Sequence, residues 1–104
     1  MSERIEKLKE FLKASPADCF LNHALALEYV KLGRDEDARG LFETNIQNDA
    51  SYVATYYHLG KLLERLGAQQ EAIAIYENGM KVAREQKDMH THSELQAAHE
   101  DLVY

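Results

Sequence analysis

Two groups of residues in this 104-residue chain could in principle do chemistry: a cysteine with a nearby histidine, and a set of five histidines. Cys19 and His23 are four residues apart, so they would share one face of a helix. Such a pair is similar to a thiol nucleophile with its base, and a place at the start of a helix would lower the pKa of the thiol. An isolated helical cysteine is more often a packing residue, and no phosphate-binding loop or nucleophile elbow accompanies it. We therefore predict that the protein is not an enzyme.

The histidines raise the question of a metal site. Three of them, His90, His92 and His99, lie close together near the end of the chain. A metal-binding pair on a helix prefers a spacing of four residues, whereas His90 and His92 point in different directions and His92 and His99 are two turns apart. Because Cys19 is the single cysteine, no thiol pair can join them. We predict neither a metal site nor a cofactor.

Composition excludes further classes of function. The chain is 45% hydrophobic and 29% charged with a net charge of −6, which is typical of one folded domain and disfavours nucleic acid as a partner. Its longest stretch without charge, residues 50–60, is shorter than the roughly 20 apolar residues of a membrane span. The first residues lack the apolar stretch of a signal peptide, and a single cysteine fits a reducing compartment. A cytoplasmic protein is expected.

Glycine and proline mark the ends of the helices that would position any site. Pro16 ends the first helix, because the residue before a proline is displaced from the helical region. Gly33 and Gly67 suit the left-handed conformation that closes a helix. The predicted helices cover residues 3–14, 18–32, 35–48, 52–66, 69–86 and 88–103. No segment alternates between apolar and polar residues as a strand does, so the predicted fold class is all-α.

The chain matches itself at a spacing of 34 residues. The matched pairs are Leu25/Leu59, Tyr29/Leu63, Gly33/Gly67, Ala38/Ala72 and Phe42/Tyr76. With the run Tyr-Tyr-His-Leu-Gly at 56–60, this spacing resembles the tetratricopeptide repeat family. The resemblance implies a right-handed α-α superhelix of about six helices in one domain. It comprises a half-repeat helix, two full repeats and a capping helix, at residues 1–15, 19–52, 53–86 and 88–104.

The resemblance also implies that a peptide or helix of a partner protein binds to the inner surface, formed by the first helix of each repeat. The peptide-binding residues carried over to this surface are Phe20, His23, Leu27, Lys31, Tyr57, His58, Lys61 and Arg65. This set contains both apolar and basic residues, so a partly hydrophobic and partly acidic partner is expected. Family members that bind chaperone tails hold the terminal carboxylate with Lys, Asn and Arg. Here His23, Leu27 and His58 occupy such positions, so chaperone tails are not expected as ligands.

A second function stays open beside the adaptor: a small structural subunit or homo-oligomer, such as a homodimer, that assembles through its helical ends without a peptide ligand. The first helix has an apolar stripe backed by charged residues, so its neighbour is expected to cover it. The stripe consists of Ile5, Leu8, Phe11 and Leu12. The other end, Leu102-Val103-Tyr104, is less clearly covered by neighbouring helices. It is the end expected to pack against another copy of the chain.

Small residues indicate where helices cross closely. Ala26 and Gly60, and Ala38 and Ala72, occupy matched positions in the two copies. Helix axes 8–10 Å apart require small side chains at the contact. We therefore predict close crossings at these four residues.

Overall fold

The computed structural model describes residues 2–104, which form six α-helices and no strand. The helices are α1 (Glu3–Ala14), α2 (Cys19–Lys31), α3 (Asp35–Asn48), α4 (Ala54–Arg65), α5 (Gln69–Glu85) and α6 (Met89–Val103). Each predicted helix is present, and its ends fall within about two residues of the predicted ones. The all-α prediction is confirmed. Within residues 2–104, no helix combines the length and apolar character needed to cross a membrane.

The helices form two compact units, of which the first ends at Asp49 and the second comprises Ala50–Tyr104. In the first unit, α2 packs on both α1 and α3. In the second unit, α5 packs on both α4 and α6. The side chains that are almost fully buried include Ile5 and Phe42 in the first unit and Tyr56, Leu59, Leu63, Tyr76 and Leu95 in the second. Each unit therefore has its own apolar core.

Glycine allows close approach between helices of the second unit. A Cβ atom added at Gly60 of α4 would overlap the ring of Tyr76 on α5. This confirms the close crossing predicted there. A second such contact, which the repeat pattern does not reveal, lies at Gly79 of α5: a Cβ there would be 2.6 Å from Tyr56 Cβ and 3.1 Å from Leu95 Cδ1. Helix α5 is thus fitted closely to α4 at both Tyr76 and Gly79, and to α6 at Gly79.

Three helices end with the same left-handed turn. Gly33 and Gly67 follow α2 and α4 with φ angles of 73° and 80°, as predicted, and Lys87 follows α5 with a φ of 59°. After α5 the backbone N–H of Lys87 donates to Arg84 O at 3.0 Å and that of Asp88 donates to Ala83 O at 2.9 Å. These bonds satisfy carbonyls at the end of the helix. The turn therefore forms after α5 although lysine tolerates this conformation poorly.

Replacing Lys87 by glycine is expected to stabilise the protein. Glycine adopts positive φ without a steric penalty, so we expect a gain of about 1 kcal/mol, or roughly 4–8 °C in melting temperature. The matched control is Lys81→Gly, an exposed position inside α5, which should lose about 0.7 kcal/mol. Thermal melts followed by circular dichroism measure both changes. Destabilisation of equal size in the two variants would contradict the left-handed turn.

The N-terminal helix is covered less completely than predicted. Ile5 and Leu8 are buried, but Phe11 is 61% exposed. The reason is geometric: each residue advances about 100° around the helix axis, so Phe11 lies about 100° from its neighbour Leu12, at the edge of the stripe. The prediction that this end is covered is wrong for Phe11. At the other end Val103 and Tyr104 are exposed, as expected.

Candidate functional site

Half of the predicted site residues line one groove in the first unit, with a volume of about 420 Å³. They project from successive turns of α2, where residues three or four apart share a face. We define the α2 groove by its lining residues Arg4, Phe20, His23, Ala24, Leu27, Glu28, Val30 and Lys31. Phe20 is 66% exposed and Leu27 is half-buried. The groove therefore offers apolar surface between charged side chains.

His23 contributes less to this surface than the other three predicted residues. Its side chain is buried, and its ring centroid lies 5.5 Å from that of Phe42 on α3. Most of the imidazole is therefore part of the core between α2 and α3. Its remaining edge lines the α2 groove.

An ion-pair network forms one rim of the α2 groove. The carboxylate of Glu28 lies 3.3 Å from Arg4 Nε and 3.0 Å from Lys31 Nζ. Because two cations share one carboxylate, the rim keeps a net positive charge. The spacing of Glu28 and Lys31 on α2 could have revealed their pairing, but Arg4 comes from α1 and no sequence pattern links it to them.

The other predicted residues lie on α4 in the second unit. We call Tyr57, His58, Lys61 and Arg65 the α4 surface. Tyr57 and His58 are half-buried with ring centroids 5.5 Å apart in an edge-to-face arrangement, while Lys61 and Arg65 are exposed. Lys61 Nζ lies 5.7 Å from the centroid of Tyr57 and 3.7 Å from the Glu64 carboxylate. This surface is therefore aromatic and basic, with Glu64 beside it.

Helix α6 affects the charge of the α4 surface. Burial lowers the pKa of His58, and the negative charge of Glu94 on α6 partly opposes this effect. His92 is buried, and its Nε2 lies 3.1 Å from Arg84 Nη2 of α5. The charge of Glu94 on α6 therefore reaches His58 on α4.

The environment of Cys19 contradicts the expected lowering of its pKa. Burial raises the pKa of the thiol, and Asp49 and Asp18 raise it further. The carboxylate of Asp18 caps α2 by accepting a hydrogen bond from the backbone N–H of Leu21 at 2.9 Å. A negative charge therefore stands at the helix end that would otherwise favour the thiolate.

No metal-binding cluster appears among residues 2–104, where no three His, Cys, Asp or Glu side chains are placed to hold an ion together. Two of the histidines have other partners in the second unit. His92 contacts Arg84, and His99 Nε2 lies 3.0 Å from the Glu77 carboxylate. These side chains connect α6 to α5.

Comparison with solved structures identifies the family. No family model matches the chain, and no curated protein does. A tetratricopeptide repeat domain protein from Salinibacter ruber, determined in solution by NMR, is 44% identical and covers 86% of this chain and 90% of its own, with a TM-score of 0.82. The chain belongs to the tetratricopeptide repeat family.

Other tetratricopeptide repeat structures share the fold. A crystal structure of a tetratricopeptide repeat domain protein, also from Salinibacter ruber, is 45% identical over 82% of this chain and 96% of that one, with a TM-score of 0.78. The TPR2B domain of yeast Sti1, solved as a complex with pHsp70, has a TM-score of 0.88 over 94% of this chain and 78% of that one. Its identity of 15% makes this a likeness of fold alone.

The two matched helices of this tetratricopeptide repeat protein differ in chemistry. At a spacing of 34 residues, His23 matches Tyr57, Leu27 matches Lys61 and Lys31 matches Arg65. Their exposure to solvent differs too: Leu27 is half-buried and lines the α2 groove, whereas Lys61 is exposed. The repeat therefore preserves positions while presenting an apolar groove on α2 and a basic aromatic surface on α4.

Proposed function

We propose that this protein-interaction module binds segments of a partner protein, that the α2 groove is one binding surface and the α4 surface another, and that the module has no catalytic role. The observation that carries the proposal is the α2 groove itself, where apolar surface stays open to solvent beside a positive rim. Concave apolar sites with a few charged groups are typical binding sites. Family membership supports a protein as the ligand.

The residues on the two surfaces favour a particular partner chemistry. An apolar side chain of the partner would contact Phe20 and Leu27 in the α2 groove. Carboxylates would lie near Lys31, Lys61 and Arg65, because opposite charges guide association and fix orientation. We do not propose a chaperone tail as the ligand. Binding the terminal carboxylate of such a tail would need Lys and Asn at positions where the α2 groove presents His23 and Leu27.

The proposal can be tested without knowing the natural partner. A random-peptide display library panned on the immobilised chain should yield peptides that combine aromatic or aliphatic residues with Asp or Glu. We expect Phe20→Ser to weaken binding of peptides that occupy the α2 groove, and Tyr57→Ala and Arg65→Glu to weaken binding of peptides that occupy the α4 surface. Each loss should be at least about tenfold, because aromatic and Arg side chains dominate interface energies. Fluorescence anisotropy measures the affinity, and thermal melts verify that the variants stay folded.

Two controls match these changes. Phe11→Ser alters a phenylalanine of similar exposure on α1, outside the α2 groove. Lys81→Glu reverses an exposed charge on α5, outside the α4 surface. Both should bind the selected peptide like the parent chain. Failure to select any peptide, or equal loss in controls and site variants, would refute the proposal.

A further inference from the structure

Helix α1 carries an exposed aromatic residue between two depressions. Phe11 is 61% exposed. One depression, of about 480 Å³, is lined by Glu6, Lys7, Glu10 and Phe11. The other, of about 280 Å³, is lined by Glu3, Arg4, Lys7, Leu8 and Phe11. We define the α1 face by the residues of these two depressions.

The second depression has the geometry of a helix-packing hole. Four residues spaced i, i+3, i+4 and i+7 on one helix form a hole that receives a side chain from a facing helix. Arg4, Lys7, Leu8 and Phe11 have this spacing and line one depression together. The α1 face thus presents an exposed phenylalanine next to a hole that can receive a side chain from a facing helix.

We propose that the α1 face binds the α1 face of a second copy of this chain, with the two helices antiparallel about a two-fold axis. In such an arrangement every contact is made twice. Phe11 of each copy enters the hole of the other copy and packs beside Lys7 and Leu8. Apolar surface that is exposed in the single chain becomes buried in the pair.

The charges on the α1 face favour this occupant and this orientation. Antiparallel pairing brings Lys7 of each copy near Glu10 of the other, so each opposite-charge contact forms twice. A parallel pair would place Lys7 on Lys7 and Glu10 on Glu10, which repels. Within one chain Glu10 contacts only Lys13 among the ion pairs described for residues 2–104, at 3.1 Å, with both side chains more than 70% exposed. Such a pair contributes little stability, so it does not oppose the contact with Lys7.

Sedimentation equilibrium of the full chain tests the pairing. The average mass should rise from 11.9 kDa towards twice that value as concentration increases from about 1 to 500 µM at low salt. Phe11→Ser should keep the chain monomeric throughout this range. Phe20→Ser is the matched control: Phe20 is 66% exposed but lies on α2, so this variant should associate like the parent.

A charge exchange tests the orientation. Lys7→Glu and Glu10→Lys should each weaken self-association at least about tenfold, since each places like charges opposite one another. An equimolar mixture of the two single variants should form a heterodimer, and the double variant should regain the homodimer. A parent chain that stays monomeric, or a double variant no better than the single ones, overturns the proposal. Peptide affinity is measured separately, so the binding function can fail while the pairing stands.

Discussion

Replacing Gly60 by leucine is expected to unfold the second unit or leave it without a fixed core. A Cβ at this position would overlap the ring of Tyr76, whose Cζ atom would lie within 2.6 Å. The ring has little freedom to move away, because it is fully buried and its hydroxyl donates a hydrogen bond to Glu64. Overpacking typically costs about 1–3 kcal/mol, and we expect the upper end of that range or more.

The matched control for this variant is Gly40→Leu. Gly40 lies inside α3, is exposed, and a Cβ there would meet nothing within 4 Å. Leucine favours a helix over glycine by about 0.8 kcal/mol, so this control should melt at a higher temperature than the parent. Thermal melts by circular dichroism compare the two. If the Gly60→Leu variant had the same melting temperature as the parent chain, the predicted close crossing of α4 and α5 would be wrong.

Deleting residues 89–104 is expected to have the second large effect. The deletion removes Leu95, which is fully buried and whose Cδ1 would lie 3.1 Å from a Cβ added at Gly79 of α5. It also removes the contact of His92 with Arg84. Leu95→Ala alone should cost about 2–5 kcal/mol. The loss of the whole helix should exceed this and abolish cooperative unfolding of the second unit.

A shorter deletion distinguishes a structural helix from a dispensable tail. Removing Val103 and Tyr104 takes away two exposed residues and keeps Leu102, whose carbonyl accepts a hydrogen bond from Gln69. This variant should unfold at nearly the parental urea concentration, whereas loss of residues 89–104 should shift or broaden the transition. Equal midpoints for the long deletion and the parent would show that α6 contributes nothing to the core.

Local signals explain why the helices could be predicted. Pro16, Gly33 and Gly67 act through their own backbone preferences, which do not depend on the rest of the fold. The turn after α5 obeys the same geometry but carries Lys87, which gives no such signal. Sequence therefore predicts a break near Lys87 without its left-handed conformation.

Contacts between helices explain what sequence could not predict. The positions on α2 and α4 follow from the family pattern, but their neighbours Arg4 and Glu94 come from other helices at no fixed spacing. Gly79 matches Asn45 in the first copy, so repetition hides its contact with Tyr56. The spacing predicts that Phe11 is covered with the rest of its stripe, because spacing alone does not show how wide a strip the next helix buries.

The order of packing along the chain also bears on how fast the protein acquires its structure. Each helix between residues 2 and 104 packs chiefly on the helix before or after it. Short connections close within about 100 ns, and helical proteins rich in local contacts fold in microseconds to milliseconds. The ribosome adds only about 5–20 residues per second. The first unit ends at Asp49, so its apolar residues can be sheltered while the second half of the chain is still being synthesised.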